Sequence, residues 1–163
     1  MKTLYLVRHA KSSWDYPVAD LDRPLFTRGV NEAHLLSKHI EQLGVKPQKM
    51  ISSPAIRALH TAIIFAKNLH YPLNNIDIDS NLYDFYGNQL LDVIKNADDS
   101  IDKLMIFCHN NAVTSVVNNI GNKPIVNVST CGFASIEFDI SHWKEVKKGN
   151  TTLFLKPKQL LLP

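Results

Sequence analysis

The feature that most constrains the fold of this chain is an alternation between short apolar runs and longer stretches with helical spacing. Four short runs predict strands, at 4–7, 50–51, 76–78 and 104–107. The longer stretches predict helices, at 31–43, from 53 to about 69, at 89–95 and at 111–120. Two further runs, 133–138 and 146–155, predict closing strands that could pair antiparallel, the second at an edge. This pattern predicts an α/β three-layer sandwich, in which helices cover both faces of a mainly parallel sheet.

The composition is that of one ordinary globular domain spanning residues 1–163, with 45% hydrophobic and 20% charged residues. The formal charge of +3 favours acidic ligands only weakly, and no dense basic stripe predicts nucleic-acid binding. No stretch has the length of a membrane span, and the N-terminus lacks the features of a secretory signal. The two cysteines, Cys108 and Cys131, are too few for a disulfide framework, so we expect a cytoplasmic chain.

Chemically active side chains follow three of the predicted strands. Arg8 and His9 follow the first strand, Arg57 lies in the helix that opens after the second, and His109 follows the fourth. Because ligands bind beyond the carboxyl ends of parallel strands, we expect these four residues around one crevice. Arginine forks match phosphate oxygens, and a neutral histidine can attack phosphorus. Ser53, as a helix cap before Pro54, would add backbone N–H donors for the same anion.

Each of these residues also has a structural interpretation. Arg8 and Arg57 could be solvated arginines, and His9 and His109 could be ordinary hydrogen-bonded histidines. The prediction of a phosphate site therefore depends on all four residues occurring together after predicted strands. We interpret the remaining histidines as structural or exposed: His34, His39, His60, His70 and His142. We also expect Cys108 to be a buried, inert thiol, because neighbouring strand residues point to opposite faces.

Several segments together resemble the histidine phosphatase superfamily. They are Leu6-Val7-Arg8-His9-Ala10-Lys11-Ser12, Arg23-Pro24-Leu25-Phe26-Thr27-Arg28-Gly29, Ser52-Ser53-Pro54-Ala55-Ile56-Arg57-Ala58-Leu59-His60-Thr61-Ala62 and Cys108-His109-Asn110. They lie in the order expected for that superfamily, from residue 4 to about 120. The short length and the Arg-His-Ala-Lys-Ser form look most like its SixA branch, which is associated with phosphohistidine removal from proteins.

The resemblance implies a phosphoglycerate mutase-like fold and a nucleophilic His9. It also implies that Arg8, Arg57 and His109 complete the phosphate pocket, with no metal or other cofactor. Ser12 matches a serine of the family's first loop and is a candidate substrate-binding residue. Asp84 is the candidate proton donor.

We therefore expect a phosphatase that forms a phosphohistidine intermediate on His9. Its substrate would be a phosphohistidine-containing protein, since a phosphoramidate needs less help from an acid than an ester does. Two alternatives remain open: a phosphatase of small phosphate esters, and a catalytically idle module that binds phosphoproteins. A mutase fits less well, because it would need a larger enclosed pocket.

Overall fold

The computed structural model describes residues 1–161, and six strands in them form one sheet. The strands are β1 (Lys2–Arg8), β2 (Lys49–Ser52), β3 (Asp77–Ile78), β4 (Lys103–Cys108), β5 (Phe133–Phe138) and β6 (Asn150–Leu155). Their order is β3-β2-β4-β1-β5-β6. The first four strands of the chain run parallel, whereas β5 pairs antiparallel with both β1 and β6. The predicted antiparallel closing pair, with the second strand at an edge, is confirmed.

Five helices connect or follow these strands. They are α1 (Thr27–Gln42), α2 (Ile56–Asn68), α3 (Asn88–Lys95), α4 (Ala112–Ile120) and α5 (Pro157–Leu160). Short 3-10 turns lie at 20–22, 73–75, 80–82 and 143–145. Among residues 1–161, no helix combines the length and apolar character needed to cross a bilayer.

Alternate residues of β1 enter two separate cores, one on each face of the sheet. Leu4 and Leu6 pack with the buried side chains of α3 and α4. Tyr5 and Val7 pack on the opposite face with those of α1 and α2. Each fully buried aliphatic or aromatic side chain contributes about 1.5–3 kcal/mol, so both layers hold the sheet in place. The predicted three-layer α/β architecture is confirmed.

Three predicted boundaries were wrong. Helix α1 begins at Thr27, four residues before the predicted start, because the Thr-Arg-Gly-Val segment continues the helix through a glycine that local propensity disfavours. Helix α2 begins at Ile56 with Ala55 as its N-cap, so Ser53 does not cap it. Strand β6 begins only at Asn150, because Val146 follows a 3-10 turn and is buried.

The sheet register brings the ends of three parallel strands to one place. Arg8 of β1 lies opposite Cys108 of β4, and Ser52 of β2 lies opposite Phe107. The ladder continues one residue further, because the His9 and Ser53 amides donate to the carbonyls of Cys108 and Phe107. His9, Ser53 and His109 are therefore held at the same edge of the sheet.

Candidate active site

The four side chains predicted to form a site converge beyond that edge. The ring centroids of His9 and His109 are 5.2 Å apart. Arg8 and Arg57 lie close enough to disfavour protonation of both rings. Residues far apart in the sequence thus surround one small volume.

His9 is held by its own loop. Its Nδ1 lies 2.8 Å from the carbonyl oxygen of Ala10. Because a carbonyl only accepts, Nδ1 carries the proton, and the lone pair of the neutral ring lies on Nε2. Nε2 makes no hydrogen bond within residues 1–161. The residue keeps 7% of its surface exposed.

His109 is fully buried and fixed by Ser53, whose Oγ lies 2.7 Å from Nε2 of the ring. The same Oγ accepts a hydrogen bond from the Ala55 amide at 3.2 Å. When the Ser53 hydroxyl donates to Nε2, the proton of the neutral ring lies on Nδ1. The ring of Phe85 packs against the imidazole with centroids 5.0 Å apart.

Both histidines are neutral at physiological pH. Burial lowers the pKa of His9 to about 3, and the positive charges of Arg57 and Arg8 act in the same direction, against the hydrogen bond to Ala10. Burial, followed by the charge of Arg57, also lowers the pKa of His109 to about 3. A neutral His9 can act as a nucleophile, and a neutral His109 with its proton on Nδ1 can donate a hydrogen bond.

Two buried nitrogen atoms of the site lack a hydrogen-bond partner among residues 1–161. They are Nε of Arg8 and Nδ1 of His109. Buried donors are normally paired, because an unpaired one costs about 1–3 kcal/mol. Nη1 of Arg8 is held by the carbonyl of Val128 at 2.9 Å, so this guanidinium is fixed while its Nε stays available. Both atoms need an acceptor or donor that residues 1–161 do not supply.

Arg57 is oriented by Asp20, a residue that the sequence did not mark. Its Nη1 donates to the Asp20 carbonyl at 2.6 Å, and its Nη2 donates to the Asp20 carboxylate at 2.9 Å. The same carboxylate accepts from Tyr83 Oη at 2.5 Å and from Arg23 Nη1 at 3.0 Å. Asp20 therefore links α2 to two separate loops.

Ser12 lies beside this cluster. Its side chain is buried, and its Oγ accepts a hydrogen bond from Nη2 of Arg23. The guanidinium of Arg23 stacks 3.3 Å from the ring centroid of Trp14. The substrate-binding role of Ser12, which rests on its match to a serine of the family's first loop, stays a prediction.

Asp84 has a different environment from the one expected of a proton donor. Its Oδ1 accepts from the Tyr86 amide at 2.9 Å, and its Oδ2 accepts from the amides of Gly87 and Leu90, each at 3.0 Å. A proton on this carboxyl would compete with those three donors for its lone pairs. The geometry therefore favours a role in starting helix α3 over the predicted role in proton transfer.

Cys108 is buried, as expected, and Cys131 is buried too. Burial raises the pKa of the Cys108 thiol to about 12, and its Sγ contacts the Leu82 carbonyl at 3.2 Å. Burial also raises the pKa of Cys131. Within residues 1–161, no group of three or more histidine, cysteine or carboxylate side chains could hold a metal ion.

Comparison with known families agrees with this geometry. A family model described as histidine phosphatase superfamily (branch 1) matches residues 4–89. The chain belongs to that superfamily. Membership of the superfamily supports a hydrolase activity of the phosphatase kind. The resemblance noted in the sequence is thereby confirmed.

The relatives found by sequence are themselves uncharacterized. A chloroplastic protein of Arabidopsis thaliana is 26% identical over an alignment that covers 88% of this chain and 70% of the relative. A protein of a Picosynechococcus strain is 40% identical over 65 residues, which is 39% of each chain.

Solved structures show the phosphoglycerate mutase-like fold. A provisionally assigned phosphohistidine phosphatase SixA of Agrobacterium tumefaciens aligns with a TM-score of 0.81 and 24% identity, over 96% of this chain and 98% of its own. The protein histidine phosphatase SixA in complex with tungstate aligns with a TM-score of 0.80 and 19% identity. The alignment covers 97% of this chain and 99% of that protein. A mycobacterial glucosyl-3-phosphoglycerate phosphatase aligns with a TM-score of 0.63 and 13% identity, over 93% of this chain and 97% of its own.

Three polar groups that contact the site residues of this histidine phosphatase were not predicted from the sequence. They are the carboxylate of Asp20 and the hydroxyls of Tyr83 and Ser53. Asp20 had one usable signal, because it stands three residues before Arg23, a spacing at which opposite charges meet on a helical turn. Tyr83 and Ser53 had no such signal, because their partners lie 63 and 56 residues away.

Proposed function

We propose that this protein is a phosphohistidine phosphatase that removes a phosphoryl group from a histidine of another protein. The observation that carries the proposal is the pair of neutral histidines set between two arginines. His9 presents an Nε2 without a hydrogen bond within residues 1–161, and two buried nitrogen atoms of Arg8 and His109 lack partners there. A phosphoryl group supplies both the electrophile and the oxygens that such a site can bind.

The reaction proceeds in two displacements at phosphorus. Nε2 of His9 attacks in line, so that a P–N bond to His9 forms while the P–N bond of the substrate breaks. The departing imidazole takes a proton from a water molecule, which leaves a hydroxide ion. That hydroxide then attacks phospho-His9, which releases inorganic phosphate and restores the neutral ring.

The remaining side chains bind the transferring group. In this proposal Arg57, Arg8 Nε and His109 Nδ1 hold the equatorial oxygens and offset their charge in the transition state. None of these groups has to give up a proton. Asp84 has no part in the proposed reaction, because its oxygens already accept three backbone N–H groups.

A protein substrate is favoured by exposed apolar side chains in the chain segments that supply the site. Four exposed apolar side chains lie within two residues of a residue that contacts the site: Trp14 (75% exposed), Ile56 (41%), Tyr86 (85%) and Val126 (101%). They belong to four separate segments of the chain, and neither core described within residues 1–161 includes them. Exposed apolar side chains of this kind are available to contact another protein.

We further propose that residues 1–163 act as one catalytic domain, because both cores pack against the same sheet. A cytoplasmic location, independence from metal and other cofactors, and the absence of a nucleic-acid partner stay predictions.

The decisive experiment measures phosphate release from a phosphohistidine peptide and from an aryl phosphate, with the wild-type protein and with His9→Ala. We expect rapid release from the peptide by the wild type, a loss of about 10³-fold or more in His9→Ala, and trapping of phosphate on the denatured wild-type protein. His70→Ala is the matched control, because the His70 side chain is 79% exposed.

The other outcomes separate the alternatives. Equal release by wild type and His9→Ala would remove His9 from the mechanism. Fast hydrolysis of the aryl ester with no action on the peptide would favour a small-ester phosphatase. Tight binding of the phosphopeptide without release would favour a binding module. Vanadate should inhibit competitively, since it resembles the phosphorane-like transition state.

A further inference from the structure

The orientation of Arg57 depends on a carboxylate in the surface turn at 20–22. Both terminal nitrogens of the guanidinium are engaged by one residue, through the Asp20 carbonyl at 2.6 Å and its carboxylate at 2.9 Å. The Arg57 side chain is 3% exposed, whereas that of Asp20 is 42% exposed. A bidentate contact of this kind fixes the plane of a guanidinium as well as its position.

The carboxylate of Asp20 also joins the site to two other segments. Tyr83, in the loop after β3, donates its hydroxyl to Oδ2 at 2.5 Å, and Arg23 donates to Oδ1 at 3.0 Å. Arg23 in turn donates to the carbonyl of Ser13 at 3.2 Å and to Ser12 Oγ, in the loop that follows His9. One charged group thus connects the helix of Arg57, the loop of His9 and the loop after β3.

We propose that Asp20 is the positioning residue of this site, which holds Arg57 in the plane that binds a phosphoryl oxygen. The inference rests on the proposed function, because it assigns Arg57 to phosphate. Asp20 engages the edge formed by Nη1 and Nη2, and Nε of Arg57 makes no hydrogen bond within residues 1–161. The edge that contains Nε is the one left for the substrate.

The charge of the cluster is consistent with this role. Partial burial alone would raise the pKa of Asp20, but hydrogen bonds from Tyr83, Arg57 and Arg23 hold the pKa well below its usual value. The carboxylate therefore stays ionised throughout the physiological range. Three guanidinium groups still outnumber this single carboxylate, so the site remains positive toward a phosphoryl dianion.

The test compares Asp20→Asn with Asp22→Asn. Asp22 stands two residues away in the same exposed turn and makes no ion pair within residues 1–161, so its variant controls for charge and local sequence. Binding of vanadate is measured by calorimetry, and the exchange of the Arg57 Nε–H with water is measured by ¹⁵N NMR. Arg57→Lys identifies the NMR signal.

We expect Asp20→Asn to bind vanadate about 10-fold or more weakly, and the Arg57 Nε–H to exchange faster, while Asp22→Asn matches the wild type. Tyr83→Phe removes a single bond to Asp20 and should shift both quantities in the same direction by less. It keeps the test informative if Asp20→Asn does not fold. A purely structural role would lower thermal stability without changing Nε–H exchange in the folded protein.

Equal or tighter vanadate binding by Asp20→Asn would overturn the inference, because it would show that the carboxylate competes with the anion for Arg57. Failure of the wild-type protein to bind vanadate would instead contradict the proposed function. In that case Nε–H exchange still decides whether Asp20 orients Arg57. The two failures are therefore distinguishable.

Discussion

At the scale of single residues, the same side-chain types take on different roles according to their contacts. Asp20 and Asp84 are both aspartates in loops, yet Asp20 accepts hydrogen bonds from charged side chains whereas Asp84 accepts them from backbone amides. His9 and His109 both lose their charge through burial, but the hydrogen-bond partners of their rings leave opposite nitrogens free. The chemistry available to each residue follows from these partners.

The contacts of Asp84 lead to a prediction about stability. Asp84→Asn replaces one acceptor oxygen by an NH₂ group that faces backbone N–H donors, so we expect the free energy of unfolding to fall by roughly 1–3 kcal/mol. Phosphate release per folded molecule should be preserved. Urea unfolding and a phosphohistidine peptide assay measure the two effects.

Asp92→Asn, on an exposed position of α3, is the control for this change and should leave both quantities near wild type. The opposite pattern, with normal stability and a large loss of turnover, would identify Asp84 as the proton donor after all.

At the scale of elements, the start of α1 supports the loop that carries His9. The carbonyl of Lys11 accepts the Phe26 amide at 2.8 Å, and Gly29 packs directly against the same carbonyl. The amide of Ala10 donates to Thr61 Oγ1 of α2 at 3.0 Å. Two helices therefore hold the backbone on either side of the Ala10 carbonyl that orients His9.

Gly29→Ala tests this support. In an open helix the change would stabilise the protein by about 1 kcal/mol through helix propensity. Here the added Cβ would overlap the Lys11 carbonyl, so we expect a loss of about 1–3 kcal/mol and reduced phosphatase activity. Urea unfolding shows whether the free energy of unfolding rises or falls. Lys38→Ala, on the exposed face of α1, is the control. A more stable Gly29→Ala protein would show that the loop moves freely.

At the scale of the whole molecule, the sheet forces two histidines into a buried and positively charged region. Their neutral forms are favoured in the folded state, and both would be protonated more readily in the unfolded chain. Folding is thus linked to pH through the same residues that are proposed to carry the reaction.

The stability of the protein should consequently fall on acidification. The pKa values of His9 and His109 are about 3 when folded and 6.5 when unfolded, so the unfolded state binds more protons below about pH 6.5. Their contribution is fully present above that pH and is lost as the pH falls toward 3. Each histidine adds a slope of up to about 1.4 kcal/mol per pH unit.

Urea unfolding between pH 7 and pH 4.5 measures this slope. We expect His109→Gln to have a smaller slope than the wild type, whatever its absolute stability. His70→Gln should keep the wild-type slope, because its ring is exposed. Identical slopes for His109→Gln and the wild type would contradict the linkage.

Much of the architecture could be predicted from the sequence, because helices and strands depend on the spacing of apolar residues within a few positions. The strand at 133–138 and the helices α3 and α4 lie within one residue of their predicted bounds. The convergence of Arg8, His9 and His109 was also predictable, because parallel strands bring their carboxyl ends to one edge.

The paths of the loops that complete the site became visible only in the folded chain. The contact of Asp20 with Arg57, the hydrogen bond between Ser53 and His109, and the amide contacts of Asp84 depend on the paths of irregular segments. No apolar spacing encodes such paths, since each contact joins groups that meet only after both cores have packed. The sequence by itself thus determined the layers and the edge that carries the chemistry, whereas tertiary packing decided which polar atoms are free to react.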